Sequence, residues 1–326
     1  MGHQLTTVLA AARRLVQRVV PPADEVSPSW PPGDLREALG SAHLERWRAD
    51  EPVRSAQVVA SLADDPQGLT VLRRALAADV GPDDASELLA TWRDRPRPTR
   101  AAVLDPVRSM GTAARQGDAT TCGSAVLTLL AAVGDPWLAL WLADGTSCAG
   151  RRPTELSGAT GHQLASLADG PPERRFVAVQ QVVRRRTSAR GLLVAPWPPS
   201  LGTPPWGAAA QARHPGVRYG SVVLDDTRTE ELTGALDRVA LAVDRGVPVP
   251  LYVGGDSAQG WSRAVPRHVV LAVGTTGDGL VLWEPASGRR FSVPRGDLLA
   301  PTGPRAALGG WTHLAWAVLP TLRPAR

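Results

Sequence analysis

The stretch Cys122-Gly-Ser-Ala-Val-Leu-Thr-Leu-Leu-Ala-Ala-Val133 constrains this chain more than any other. Its composition is helical, and apolar residues occupy nearly every face of the resulting cylinder. A helix without a polar side cannot lie on a surface, so it sits in the middle of a domain with other elements packed around it. Thr121 stands where a cap is expected, and Gly134-Asp-Pro ends the run. Trp137 to Leu142 then supplies another apolar turn or two.

What surrounds this helix follows from the rest of the pattern. Residues 1 to about 100 read as an N-terminal, all-helical region. Segments 34–48, 52–63, 67–79 and 83–94 carry helix-spaced apolar residues divided by Pro-Gly and Asp-Pro breaks. Arg93-Asp-Arg-Pro-Arg-Pro-Thr-Arg reads as a linker, and residues 101–326 as a second domain. Within it, 144–220 reads as an irregular excursion with little regular structure, set around Arg184-Arg-Arg, Pro196-Trp-Pro-Pro and Gly202-Thr-Pro-Pro-Trp206. Beyond it, Thr227 and Glu230 offer a capping box for a helix with Leu232, Leu236, Val239 and Val243 on one face, stopped by Gly246. Strands are expected over Val247–Val253, His268–Val273, Leu280–Trp283, Arg290–Val293 and Thr312–Leu319. A buried helix followed by an antiparallel sheet makes an α+β domain.

Composition bounds the function. The chain has 326 residues and a formal net charge of +5, with every basic residue an Arg. Lys, Ile and Asn are absent, a coding bias expected of a GC-rich bacterial genome, so Val, Leu and Trp build the core. The arginines are scattered among Asp and Glu without a nucleic-acid-reading motif, so no nucleic-acid partner is expected. No apolar run is long enough for a membrane span. The N-terminus lacks the features of a signal peptide. Its Leu5, Val8, Leu9, Ala12, Leu15, Val16 and Val19 instead form an amphipathic helix, suited to intramolecular docking or self-association. Two cysteines, Cys122 and Cys148, make a poor disulfide framework, and the reducing cytoplasm is the expected location. With scattered histidines and no ligand spacing, neither a metal nor another cofactor is expected.

The chemistry points to Cys122. A cysteine opening a helix sits in the field of unpaired backbone N–H groups, which favours the thiolate. Gln116, six residues upstream, can place its side-chain NH2 beside the Cys122 N–H, giving two donors for an oxyanion. His268 begins a strand that is apolar on both faces, and hairpin symmetry about Thr276 puts it opposite Glu284. A carboxylate there can fix one imidazole nitrogen and leave the other for the thiol, whereas a slip of one residue would turn Glu284 to the wrong face. Trp283 could wall such a site. Cys148, His162, His214 and His313 carry no such company and are read as incidental, and Gly254-Gly255-Asp256 lacks a phosphate-loop context.

Four pieces in this order resemble the papain-like cysteine peptidases of the bacteriocin-processing group, which cut peptides at double-glycine leader sites. They are Gln116 to Cys122-Gly123, Gly246-Val-Pro-Val249, His268-Val-Val-Leu-Ala-Val-Gly, and Trp283-Glu284-Pro285 with Ser287-Gly288. The resemblance covers about 112 to 300 and implies a papain-like fold and a peptide or protein substrate. It also implies Cys122 as nucleophile, His268 as general base and acid, and Gln116 as oxyanion donor. Glu284 stands where that group usually has Asp before Pro. The same triad chemistry serves acyl transfer of transglutaminase type, and the fold without the chemistry would serve as a peptide- or protein-binding module.

Overall fold

The computed structural model describes residues 29–147, 152–189, 202–254 and 268–324. The expected amphipathic N-terminal helix, Cys148 and Gly255-Asp256 lie outside them. The described residues form an α+β fold with a six-stranded, wholly antiparallel sheet.

The helical region contains α1 (Leu35–Asp50), α2 (Pro52–Ala60), α3 (Pro66–Ala77), α4 (Pro82–Arg93), α5 (Arg97–Leu104) and the short α6 (Pro106–Ser109). Each of α2 to α6 begins at a proline in its first turn, where the missing N–H costs nothing. The stretch read as a linker is therefore mostly helix. Its Arg-Pro pairs start α5, whose Ala102 and Val103 are buried.

The apolar run becomes α7 (Cys122–Gly134), with every residue except Val133 buried. After the Asp135 break comes α8 (Pro136–Asp144), capped by Asp135, whose carboxylate accepts from Trp137 N at 3.0 Å. No single helix among the described residues is long and apolar enough to cross a membrane. The two buried helices α7 and α8 together would be, but they bend by 117° at their junction.

The segment read as irregular is instead largely helical where described. It holds α9 (Gly161–Ala168), α10 (Pro172–Ser188) and α11 (Pro205–Gln211), then strand β1 (Val217–Val223). The Arg-rich sequence of α10 hides a stripe of Phe176, Val179, Gln180 and Val183, all buried, which packs along α7. Arg174 and Arg185 point to solvent, while the buried Arg175 donates to the Leu142 and Ala143 carbonyls, so high polarity here marks an amphipathic helix and not a loop.

Helix α12 (Thr229–Asp244) precedes β2 (Val249–Gly254), β3 (His268–Thr276), β4 (Gly279–Glu284), β5 (Arg289–Pro294), the short α13 (Arg295–Leu299) and β6 (His313–Leu322). The expected capping box at Thr227 does not form. Asp225 captures both the Thr227 amide and its hydroxyl, and α12 starts two residues later without a side-chain cap. Gly246 ends that helix region with φ +74°.

The strand order is β1-β6-β2-β3-β4-β5. Val269 and Leu271 of β3 belong to a core shared with α3, α4, α7, α8 and α10, while Val270 and Ala272 belong to one shared with α12. Both faces of β3 are thus covered, which explains its unbroken apolar run. The first core also contains residues of the N-terminal helices, such as Trp47, Leu72 and Trp92.

Gly40 lets α1 lie against α3, since a Cβ there would overlap the Arg73 carbonyl. Gly40→Ala must push two backbones apart. It is expected to destabilise the fold by about 1–3 kcal/mol in denaturant titration.

Candidate active site

Three chain segments meet here, each held by its own local chemistry. Cys122 is the first residue of α7, His268 the first of β3 and Glu284 the last of β4. They are 2%, 7% and 3% exposed, so their polar atoms are shielded from water and must satisfy one another.

The structure brings them together. His268 Nε2 and Glu284 Oε1 lie 2.9 Å apart, and the ring is also hydrogen-bonded to the Cys122 side chain. Because Nε2 is engaged by the carboxylate, Nδ1 is the nitrogen left for sulfur. Glu284 is anchored in turn: Oε1 accepts from Ala286 N and Oε2 from Ser287 N, each at 2.8 Å. This bonding uses the Pro285-Ala-Ser-Gly288 turn to fix the carboxylate before it meets the imidazole.

Glu284 reaches His268 by a different register from the expected one. Leu271 pairs with Trp283, so the next step along the ladder puts Glu284 opposite Val270 and diagonal to His268. The ladder slips between Ala272 and Gly274, leaving Val273 as an extra residue. Had the pairing Gly274↔Val281 run on unbroken, Glu284 would oppose Leu271 and face away from the imidazole. One bulged residue therefore sets the geometry of the pair.

The titrations follow from this geometry. Burial alone would push the His268 ring toward neutrality. Hydrogen bonds to Cys122 and Glu284, together with their negative charges, outweigh it and lift the pKa to about 9. Burial likewise disfavours a charged Glu284, yet its bonds to His268, Ser287 and Ala286 hold it at about 2. The favoured state is an imidazolium held between carboxylate and sulfur.

Gln116 lies on the loop that leads into α7. Its amide nitrogen donates to the Pro285 carbonyl at 2.9 Å, tying the loop to the Glu284 turn. Arg115 Nε reinforces the tie by donating to the Ala286 carbonyl at 2.9 Å. The buried Gln116 Oε1 has no hydrogen-bond partner among the described residues. Thr121 holds the cap position but does not cap. Its hydroxyl donates to the Asp118 carbonyl and accepts from Asp118 N, each at 3.0 Å, so the loop is closed and the first amides of α7 are left without a side-chain acceptor.

Several neighbours carry no sequence signal. Thr203 packs against Gly123, with its Cβ 2.6 Å from where a Gly123 Cβ would stand, so a side chain there would collide. Tyr252 donates to the Thr203 carbonyl at 2.9 Å. Burial, and then the charge of Cys122, raises the Tyr252 pKa. Gly309 (φ +62°) abuts the imidazole, and a Cβ there would stand 2.5 Å from Nε2. Only chain topology delivers these residues, and no local motif announces them. Trp283 is fully buried in the same core as Cys122.

Two other histidines among the described residues stand apart. His214 is buried and its pKa is pushed down to about 3, by desolvation and then by Arg36, while His313 Nδ1 lies 2.9 Å from Asp226. Among the described residues no group of three or more His, Cys, Asp or Glu could hold a metal. Comparison of the chain with protein-family models, curated proteins and solved structures finds no match.

The pair should be visible in stability. Glu284, held down, contributes fully above its unfolded pKa near 4.5, and loses that contribution as pH falls toward 2. His268, held up, contributes fully below its unfolded 6.5 and loses it as pH rises through about 9. Subtracting the pH–stability curve of Glu284→Gln from that of the wild type should leave a plateau between about 4.5 and 6.5 that declines on both sides. A flat difference curve would contradict the assignment.

Proposed function

We propose that this chain is a cysteine hydrolase of papain-like fold, of the bacteriocin-processing peptidase-like group, acting on a peptide or related amide bond. The observation that carries the reading is the hydrogen-bonded chain from the Cys122 side chain through His268 to Glu284. Supporting it are the position of Cys122 at the start of a buried helix and the tie between the Gln116 loop and the Glu284 turn.

In this reading the Cys122 thiolate adds to the carbonyl carbon, and the oxyanion is held by the Gln116 side chain and the Cys122 N–H. His268 gives its proton to the leaving amine as the C–N bond breaks. Water, deprotonated by the same imidazole, then cleaves the thioester and restores the thiol. Glu284 fixes the ring and offsets its charge. Its extra methylene, compared with Asp, is accommodated because it approaches from a diagonal position. An amine in place of water would make the same thioester an acyl donor. A free reactive thiol suits the cytoplasm, where we place the protein.

One observation favours a second reading, a peptide- or protein-binding module that keeps the fold: Cys122 is only 2% exposed. Iodoacetamide at neutral pH separates the two. A nucleophile should alkylate at Cys122 at least about tenfold faster than at Cys148, and His268→Ala should erase the difference. Equal, slow labelling of both cysteines would support the binding module.

A further inference from the structure

Gln180 is the one fully buried amide side chain among the described residues, at 0% exposure, on an arginine-rich helix. A buried amide is costly unless both its halves are bonded. Here both are, and both to the same short loop. Oε1 accepts from Gly117 N at 3.1 Å, and Nε2 donates to the Arg115 carbonyl at 2.7 Å. Those two backbone groups flank Gln116. The side chain thus pairs with the loop as a neighbouring strand would, and restricts the backbone torsions of the residue between. The Gln116 amide is fixed from the other side by the Pro285 carbonyl.

The rest of that α10 face serves the same loop. Val177, three residues before Gln180, has its Cγ1 3.1 Å from where a Gly117 Cβ would stand. Arg184, four residues after, brings Nη1 to 3.7 Å from Asp118 Oδ2. Residues 177, 180 and 184 form one helical stripe, and their contacts fall at 117, at 115 and 117, and at 118. An amide that merely filled the core could satisfy itself on any backbone nearby. This one addresses the loop whose side chain must be aimed at the reacting carbonyl.

We propose that Gln180 is a positioning residue that holds Gln116 in the orientation needed to receive an oxyanion, and that α10 is part of the catalytic framework. The proposal rests on Cys122 being a nucleophile with Gln116 as its oxyanion donor. It predicts a split between two reactions of the same sulfur. Alkylation by iodoacetamide is a displacement in which the C–S bond forms as iodide leaves, and no oxyanion arises. Acylation by p-nitrophenyl acetate proceeds through a tetrahedral oxyanion. Sulfur adds to the acetyl carbon, p-nitrophenolate leaves, and water later releases acetate and the free thiol.

Both rates are measured on the full chain, for wild type, Gln180→Leu and Gln180→Glu. Gln180→Glu keeps an acceptor for Gly117 N and sets an oxygen against the Arg115 carbonyl, so it carries the test if Gln180→Leu does not fold. Acylation should fall about tenfold or more, below the roughly 100-fold cost of deleting an oxyanion donor outright, while alkylation stays within about twofold of wild type. Acylation unchanged in the variants would overturn the proposal. So would equal losses in the two reactions, the mark of a purely structural residue. A wild type whose Cys122 reacts no faster than Cys148 with either reagent would overturn the thiol reading itself, and this proposal with it.

Discussion

Enclosure of α7 is the constraint on which the rest of the structure depends. A helix with no polar side must be packed all round, and here the sheet, α8 and α10 supply the packing. That enclosure puts its first residue at the junction of three chain segments far apart in sequence. It also excludes water from the place where an imidazole, a carboxylate and a thiol side chain meet. Low polarity makes each charge costly alone and each pairing strong. The upward displacement of His268 and the downward displacement of Glu284 are two views of that one balance.

The carboxylate is prepared before it meets the histidine. Two backbone amides of the following turn hold Glu284, and the carbonyls of Pro285 and Ala286 in the same turn hold residues 115 and 116. The turn therefore coordinates the charged pair and the proposed oxyanion donor as one unit. On the opposite side, α10 braces the same loop. In our reading such rigid double support is what catalysis needs, because a donor aimed loosely stabilises little developing charge.

Much of this was legible in the chain. The meeting of Cys122, His268 and Glu284 could be anticipated because helix start, strand start and Glu-Pro turn are local signals, whereas Gln116 rests on its spacing from Cys122 alone. The buried helix and five of the six strands were likewise local, read from apolar runs and their punctuation. Register was less legible. Hairpin symmetry puts Glu284 directly opposite His268, whereas the Val273 bulge makes the contact diagonal, and Gly274 beside it is the one local hint that the ladder slips. Residues 144–220 read as irregular because arginine and proline dominate the count. The apolar stripe of α10 and the strand β1, interrupted by Arg218 and Gly220, declare themselves only against their neighbours. Thr203, Gly309 and Gln180 reach the site through tertiary folding alone. No spacing rule links them to Cys122.

The central claim is that His268 carries its proton because Cys122 and Glu284 both hold it. Nuclear magnetic resonance of the histidine ring nitrogens tests this directly, by following the His268 resonances with pH in wild type and in Cys122→Ala. Our account has the wild-type ring titrating near pH 9, and moving down toward or below 6.5 once the sulfur is removed and burial acts with one partner fewer. A ring already neutral at pH 7 in the wild type, and indifferent to loss of Cys122, would contradict it.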